Sequence, residues 1–213
     1  MFKSKKLKFI ISSLIVLLPI LVGIILWNQL PDKIVTHWSF EGTPDGWSSK
    51  EFTVFGLPLI LLAIHLFCLF ITVLDPKNKE QNQNIFNLVI WITPITSLFA
   101  NGSIYFGAFD INIPMQLFGS VFAGLLFIVI GSYLPKCQQN YTIGIKLPWT
   151  LNDEANWNAT HKFSSKFWII GGILMFACSF LPAKIFIWTF FGIILIITLI
   201  PLIYSYMYYI KHN

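Results

Sequence analysis

The stretch HWSFEGTPDGW, residues 37–47, holds the first side chains of the types that chemistry needs. His37 lies near two carboxylates, Glu41 and Asp45, and imidazole and carboxylate groups ligate divalent metals. One histidine and two carboxylates at loose spacing lack the Cys or His density of a metal site. The sequence therefore predicts no metal here.

The aromatic rings of the same stretch fit two interpretations. On an extended segment, Trp38 and Phe40 point to one side while His37 and Ser39 point to the other. TPDG predicts a tight turn over residues 43–46, in which the glycine adopts a positive φ. Such rings are typical of an aromatic belt at headgroup level, but anchoring needs no specific turn, so a ligand-facing cap is the alternative.

The stretch NYTIGIKLPWTLNDEANWNATHKF, residues 140–163, holds a second group of reactive side chains. Glu154, Thr160 and His161 are residue types found in catalytic sets, but neighbours on one helix cannot surround a substrate. Enzyme activity is therefore not expected, and no catalytic residue or cofactor is assigned. The stretch fits equally a structural elbow and a docking surface for a cytoplasmic partner.

A helix is predicted to begin within this second stretch. Thr150 with Asp153 fits a capping box, and Asn152 is an alternative cap. Trp157 and His161 are four residues apart and share a helix face. We expect a short amphipathic helix at the inner membrane surface that runs into the next apolar run, with Trp149 and Trp157 as its interfacial anchors.

Two polar side chains, His65 and Asn101, lie inside apolar runs. An ionisable residue at that depth is a functional candidate. The two differ in depth by about 10 Å at 1.5 Å per residue, so a direct pair is not expected. A neutral His65 bonded to a neighbouring helix is the structural interpretation, and a small-solute or proton-coupled transporter is the functional alternative.

The composition places these groups in a membrane protein, because the chain is 56% hydrophobic and 11% charged. Six apolar runs are long enough to cross a hydrocarbon core, which takes about 20 residues as helix. The predicted spans are Lys8–Trp27, Phe52–Leu74, Ile85–Phe106, Met115–Leu134, Phe163–Leu181 and Ile185–Tyr209. The expected fold class is an all-α integral membrane protein with six transmembrane helices.

One membrane domain is expected over residues 1–213. Its N-terminal two-helix unit covers residues 1–74 with an outer loop at 28–51, and its four-helix unit covers 75–213 with a cytoplasmic loop at 135–162.

The lysines orient the predicted spans. All 14 cations are lysines, and an N-terminus on the inside places eleven of them on the cytoplasmic side and three outside. Both termini are thus predicted to be cytoplasmic. The lysines are scattered rather than clustered on one basic face, so direct nucleic-acid binding is not expected.

The two polar stretches together resemble those of the SdpI family of bacterial membrane immunity proteins, which act against sporulation-delaying-protein type toxic peptides. The matches to the family's first pattern are Pro31, His37, Trp38, Gly42, Pro44, Asp45, Gly46, Trp47 and Lys50. The matches to its second pattern are Asn140, Gly144, Pro148, Trp149, Thr150, Trp157, Thr160 and His161. Where the family usually has arginine, this chain has Lys146, which keeps the charge but loses the bidentate fork.

The resemblance implies a multi-pass protein of the bacterial cytoplasmic membrane that protects its cell from a secreted antimicrobial peptide. In some members it implies signalling as well, by recruitment of a transcriptional repressor to the membrane. The partners expected are the lipid bilayer, an extracellular toxic peptide and a cytoplasmic repressor. The residues expected to face the toxin are His37, Trp38, Phe40, Gly42, Pro44, Asp45, Gly46, Trp47 and Lys50. The residues expected to dock the cytoplasmic partner are Asn140, Gly144, Lys146, Pro148, Trp149, Thr150, Trp157, Thr160 and His161.

Overall fold

The computed structural model describes residues 2–39, 41–79, 81–109, 111 and 113–212, without the side chains of residues 2–5 and 79. Phe40, one of the residues predicted to face the toxin, lies outside the described residues. The chain is mostly helical, as predicted. Its helices are α1 (Phe2–Ile25), α2 (Leu57–Leu74), α3 (Gln83–Ala108), α4 (Met115–Tyr133), α5 (Pro148–Asn152), α6 (Glu154–Cys178) and α7 (Ala183–His212). A hairpin of two strands, β1 (Lys33–Trp38) and β2 (Pro44–Ser49), joins α1 to a π-helical turn that leads into α2.

Among the described residues, five helical segments are long and apolar enough to cross a membrane. They are Lys6–Ile25, Phe52–Leu74, Gln83–Ala108, Met115–Lys136 and Ala183–His212. These segments correspond to five of the six predicted spans. The remaining predicted span, Phe163–Leu181, falls largely within α6, which is more polar because Asn, Thr, His and Ser side chains occupy its buried face.

The chain divides into two compact units. The first comprises Met1–Ile71 and Phe86–Pro114, and the second comprises Thr72–Ile85 and Met115–Asn213. The first unit therefore holds most of α1, α2 and α3 with the hairpin, and the second holds α4 to α7. The division at residue 74 that the sequence suggests stays a prediction.

Within the first unit, α1 and α3 run parallel. The Ser97 hydroxyl donates to the Val16 carbonyl at 3.0 Å, and the Tyr105 hydroxyl donates to the Pro19 carbonyl at 2.8 Å. Residue numbers therefore rise together along both helices. Parallel packing is what two helices need if they cross a membrane in the same direction.

Within the second unit, α6 lies antiparallel to α4. At one end the Gln116 amide donates to the carbonyls of Ser179 and Leu181, at 2.9 and 2.8 Å. Farther along, Gly124 and Gly172 meet so closely that a Cβ on either would lie under 3.0 Å from the other's carbonyl oxygen. Absent side chains thus allow the two backbones to touch.

The other side of α6 packs antiparallel to α7. The rings of Phe163 and Tyr204 stack with centroids 4.0 Å apart, and Gly171 lies against Ile197. Small and aromatic residues on α6 therefore lie between its two neighbours, while Ile170 and Ile173 are exposed on the remaining side.

Candidate functional sites

The hairpin reverses direction earlier than the sequence predicts. The Ser39 amide donates to the Thr43 carbonyl at 2.8 Å, and Gly42 between them adopts a φ of +80°. Pro44 pairs with Trp38 inside the ladder, so the predicted turn over residues 43–46 is wrong. Gly42, rather than the later glycine, supplies the positive φ that the reversal needs.

Gly46 serves a close approach between the strands instead. It pairs with His37, and a Cβ at Gly46 would lie 2.9 Å from the His37 Cβ. Two register shifts flank this pair, so Thr36 on β1 and Asp45 on β2 are each an extra residue. Bulges of this kind re-aim side chains, and here the His37 Nδ1 lies 2.5 Å from the Asp45 Oδ1.

One face of the hairpin packs on the helices. Ile34 is fully buried in a cluster with Leu30, Val54 and Ile104, and Trp38 packs against this cluster. A Cβ on Gly107 of α3 would lie 2.9 Å from the Trp38 ring. Trp38 is therefore a packing residue of the first unit.

The other face is accessible. Trp47 pairs with Val35 across the ladder, and its side chain is 56% exposed. The His37 and Asp45 side chains are 72% and 44% exposed. Of the residues predicted to face the toxin, these three offer reactive or aromatic groups at the surface.

Lys50 is mostly enclosed, with 13% of its side chain exposed. Its ammonium donates to the carbonyls of Trp27 and Leu30, at 3.4 and 3.2 Å, and lies 3.4 Å from the Asp32 carboxylate. It also sits 5.1 Å from the Trp27 ring centroid. The lysine therefore caps carbonyls just beyond α1, where a positive charge is favourable.

Asn140 organises the segment that follows α4. Its side-chain oxygen accepts from the amides of Thr142 and Ile143, at 2.8 and 2.6 Å, and its amide group donates to the carbonyls of Gln138 and Ile143. The side chain is fully buried. Asn140 thus takes the place of backbone partners that this irregular segment lacks.

His161 holds the same segment from α6. Its Nδ1 lies 2.8 Å from the Trp157 carbonyl, and its Nε2 accepts from the Ile145 amide at 2.9 Å. These partners select the neutral tautomer with the proton on Nδ1. Burial lowers the pKa of His161 to about 4, against a smaller rise from the bond to Trp157. Gly144, at a φ of +113°, passes so close that a Cβ would lie 2.5 Å from the His161 Nε2.

Trp157 is fully buried, so its predicted role as an interfacial anchor is wrong. Its ring stacks on His161 with centroids 4.1 Å apart, and its Nε1 donates to the Cys137 carbonyl at 2.8 Å. Burial also raises the pKa of the Cys137 thiol to about 11. The Trp157 indole therefore links α6 to the loop after α4, because this loop folds back over the face of α6 that carries Trp157 and His161.

The predicted helix is in fact two helices, α5 and α6, and each has its own N-terminal cap. The Thr150 hydroxyl accepts from the Leu147 amide at 2.9 Å within α5, where Pro148 occupies the first turn. Asp153 then caps α6 by accepting from the Ala155 amide at 2.8 Å. The predicted capping box is therefore wrong, because Thr150 lies in the first turn of α5, and the N-cap of α6 is Asp153 rather than Thr150 or Asn152.

Trp149 and Thr160 belong to a network that ties α5 and α6 to α7. The Trp149 Nε1 donates to the Ser205 hydroxyl at 3.0 Å, and the Asn156 amide donates to the Ser205 carbonyl at 3.0 Å. The Thr160 hydroxyl in turn donates to the Asn156 side-chain oxygen at 2.9 Å. Among the predicted docking residues, Lys146 is exposed instead, with its ammonium 3.1 Å from the Thr142 carbonyl.

The short connection between α2 and α3 supplies contacts that the sequence analysis missed. The buried carboxylate of Asp75 accepts from the Tyr141 amide at 2.8 Å and from the Thr142 hydroxyl at 3.0 Å. The Gln81 side chain exchanges two hydrogen bonds with the backbone of Gln138. These partners lie more than 50 residues apart, so no local spacing signalled them.

A polar groove of about 380 Å³ lies beside this connection. It is lined by Pro76, Lys77, Gln138, Gln139 and Glu154. Thr160 and His161 are buried while Glu154 is exposed, so the structure does not bring these three together at one surface. Among the described residues, no group of three or more His, Cys, Asp or Glu is placed to hold a metal ion.

The intramembrane candidates have helix partners. The His65 Nε2 lies 2.9 Å from the Ser12 hydroxyl of α1, the contact that its structural interpretation predicts. The Asn101 amide donates to the Ser97 carbonyl at 2.9 Å. Among the hydrogen bonds of the described residues, none joins His65 to Asn101.

Five apolar spans, with the polar side chains of α6 enclosed by its neighbours, define a multi-pass membrane protein. The model of the SdpI/YfhL protein family matches residues 136–205, and that of a domain of unknown function (DUF1648) matches residues 14–62. The Immunity protein SdpI of Bacillus subtilis (strain 168) is 30% identical over 213 residues, covering 97% of this chain and 98% of that protein. No solved structure matches. The chain belongs to the SdpI family and is a multi-pass protein of the cytoplasmic membrane.

Proposed function

We propose that this protein is a membrane immunity protein that protects its cell from a secreted antimicrobial peptide. The observation that carries the proposal is the 30% identity with an immunity protein over nearly the whole chain. The exposed side chains of His37, Asp45 and Trp47 support it, because an incoming peptide meets accessible groups there. Protection works by binding in this proposal, with no catalytic residue.

Six spans, rather than five, are part of the proposal. Helix α6 lies antiparallel to both α4 and α7, and contacts with α4 extend from Gln116 to the pair of Gly124 and Gly172. If α4 and α7 cross the membrane, α6, which packs along both of them, crosses it as well. The enclosed polar face of α6 fits this arrangement, because polar side chains in a membrane turn toward the bundle interior.

The orientation follows from the lysines. With eleven of fourteen lysines in the cytoplasm, both termini and residues 137–161 are inside, and the hairpin is outside. The hairpin is then the part of the first unit that an extracellular peptide reaches.

Single cysteines test this topology in a variant whose three native cysteines are replaced by alanine. A membrane-impermeant maleimide is expected to label Thr43→Cys and Lys184→Cys on intact cells, and Asn158→Cys and His212→Cys only after lysis. Labelling of His212→Cys on intact cells, with Asn158→Cys still protected, would mean that α6 does not cross.

A protection assay tests the function itself. A bacterium sensitive to a sporulation-delaying-protein type peptide is expected to grow in the presence of that peptide when it expresses this chain, and to die with an empty vector. Membrane insertion is checked on the same cells by immunoblot of the membrane fraction. Death of cells that hold the inserted protein would overturn the proposal for that class of peptide.

A signalling role extends the proposal, in which the cytoplasmic surface recruits a transcriptional repressor. The buried motif residues are unavailable to a partner, so the supporting surface is the groove with Glu154 and the nearby exposed Lys146. A fluorescently tagged repressor is expected to move to the membrane with the wild-type protein and to stay in the cytosol with Lys146→Glu combined with Glu154→Lys. Lys184→Glu, near the other end of α6, is the matched control, and equal recruitment by all three proteins would contradict this surface.

A further inference from the structure

The hairpin, together with the residues that flank it, carries an excess of accessible carboxylates, which makes its accessible side an acidic face. Asp32, Glu41, Asp45 and Glu51 are all exposed, and the Asp32 side chain is 99% exposed. Two lysines in the same region leave a formal charge of −2, four carboxylates against two ammonium groups. The ammonium of one of them, Lys50, is mostly enclosed and lies 3.4 Å from the Asp32 carboxylate. Without this ion pair, Glu41, Asp45 and Glu51 against Lys33 still leave a formal charge of −2.

Trp47 stands on this acidic face with its ring free of the core. Thr36 and Ser48 share a hydrogen bond of 3.0 Å on the opposite face, the one that carries the buried Ile34. Trp47 pairs with Val35 and so faces away from the helices. An exposed indole beside carboxylates is a site for a cation, because the ring face attracts positive charge and the carboxylates add to the field.

The structure orients Asp45, a carboxylate two residues before Trp47 on the same strand. Asp45 is the extra residue of a bulge two positions before Trp47, and its Oδ1 is held 2.5 Å from the His37 Nδ1. A carboxylate that is already oriented loses less rotamer entropy when it binds a ligand. Half of the Asp45 side chain stays exposed, so the group is both positioned and reachable.

We propose that the outward face of the hairpin binds a cationic segment of the opposed peptide, with a lysine or arginine over the Trp47 ring and Asp45 and Glu41 as its countercharges. This inference rests on the proposed immunity function and names the chemistry of its ligand. A bilayer surface fits the face less well, because bacterial lipids are anionic and favour basic protein surfaces.

Binding is measured with the full-length protein in phosphatidylcholine nanodiscs. The probe is a fluorescein-labelled peptide of alternating lysine and glycine, seven residues long, and its twin has glutamate in place of lysine. Fluorescence anisotropy at low salt is expected to detect the lysine peptide only. Trp47→Ala is expected to weaken binding about 3-fold to 5-fold, the range of an exposed cation–π contact. Glu41→Gln combined with Asp45→Asn is expected to weaken it about 10-fold.

Two matched variants control for composition. Trp188→Ala removes an exposed indole elsewhere, and Asp153→Asn removes a partly exposed carboxylate from the second unit. Both are expected to bind as the wild type does. Binding by the wild type is expected to disappear at high salt, because exposed charges are then screened.

Equal binding of the lysine and glutamate peptides, or unchanged binding by both hairpin variants, would overturn the inference. Brominated lipids provide a second test. If they quench the part of the tryptophan fluorescence that is lost in Trp47→Phe, the acidic face lies on the bilayer, and the inference is overturned. The protection assay separates the two levels. If cells that express the wild-type protein survive and both hairpin variants protect equally well, only this inference is contradicted. If cells that express the wild-type protein die, the proposed function is contradicted.

Discussion

The hairpin and the segment of residues 137–161 carry family motifs of similar density, yet they present them in opposite ways. In the hairpin, His37 and Trp47 are exposed. In the other segment, Asn140, Trp157 and His161 are buried, with their polar atoms bonded to the backbone. Some motif residues of the hairpin are therefore accessible to other molecules, whereas those of the other segment hold the fold together.

The difference follows from what each backbone can do for itself. The hairpin pairs its own amides and carbonyls across the ladder, so its outward side chains are not needed for structure. Residues 137–147, which lead from α4 to α5, have little regular structure, and their amides depend on Asn140, His161 and Asp75. Buried polar groups without partners are costly, so these side chains are under tight structural constraint.

The largest test of this contrast compares two tryptophans. Trp157→Ala is expected to lower the free energy of unfolding by about 3–5 kcal/mol, since it removes a large, fully buried side chain. Trp47→Ala is expected to change it by less than about 0.5 kcal/mol, since the side chain is at the surface. Thermal unfolding of the purified protein in detergent measures both. Similar losses for the two variants would break the comparison.

Two glycines at positive φ, one in each region, allow a finer comparison of the hairpin with residues 137–161. Gly144→Ala is expected to cost about 3 kcal/mol, because the new Cβ meets both a strained backbone and the His161 ring. Gly42→Ala is expected to cost about 1 kcal/mol, because its surroundings are open and only the backbone conformation is unfavourable. The same melting experiment measures the pair. If the two costs were equal, the contact with the imidazole would have no energetic weight.

Asp75 provides the next test. Asp75→Asn is expected to lower the free energy of unfolding by about 2–3 kcal/mol, since one amide oxygen cannot accept all three donors that the carboxylate now binds. Glu154→Gln is the matched control on an exposed carboxylate. Protease sensitivity of the loop after α4, mapped by mass spectrometry, is expected to rise in the first variant alone. Unchanged cleavage in Asp75→Asn would show that the carboxylate does not hold the loop.

The last and more moderate test is a dependence on pH. The pKa of His161 is about 4 in the folded protein and 6.5 in an unfolded chain, so the unfolded state binds more protons between these values. The free energy of unfolding therefore decreases as the pH falls, by about 2 kcal/mol between pH 7 and pH 5. His161→Gln is expected to show a correspondingly flatter pH profile in thermal melts. Parallel profiles for the two proteins would contradict the buried neutral imidazole.

Apolar periodicity and length were enough to predict most of the fold. Five predicted spans agree with apolar helices to within a few residues, and the sixth lies largely in α6. The two-stranded hairpin was not predicted, because the alternation noted at residues 37–40 overlaps only the end of β1. Its turn was misplaced because both Gly42 and Gly46 are compatible with a reversal, and only the register of the strands distinguishes them.

The candidate sites were harder to predict, since motif letters do not report burial. The sequence predicts that Trp157 is an interfacial anchor, but in the structure the loop before it supplies the carbonyl that its indole binds. Asp75 and Gln81 carried no signal because their partners lie more than 50 residues away. The enclosure of Lys50 was likewise invisible, because it depends on carbonyls of Trp27 and Leu30 in the preceding connection.

The bare contact between Gly124 and Gly172 has a mechanical consequence. With no side chain between them, the two helices are in backbone contact, and any side chain at either position would push them apart. Because α6 has 25 residues and is about 37 Å long at 1.5 Å per residue, a separation at this point is expected to shift the helix that also carries His161.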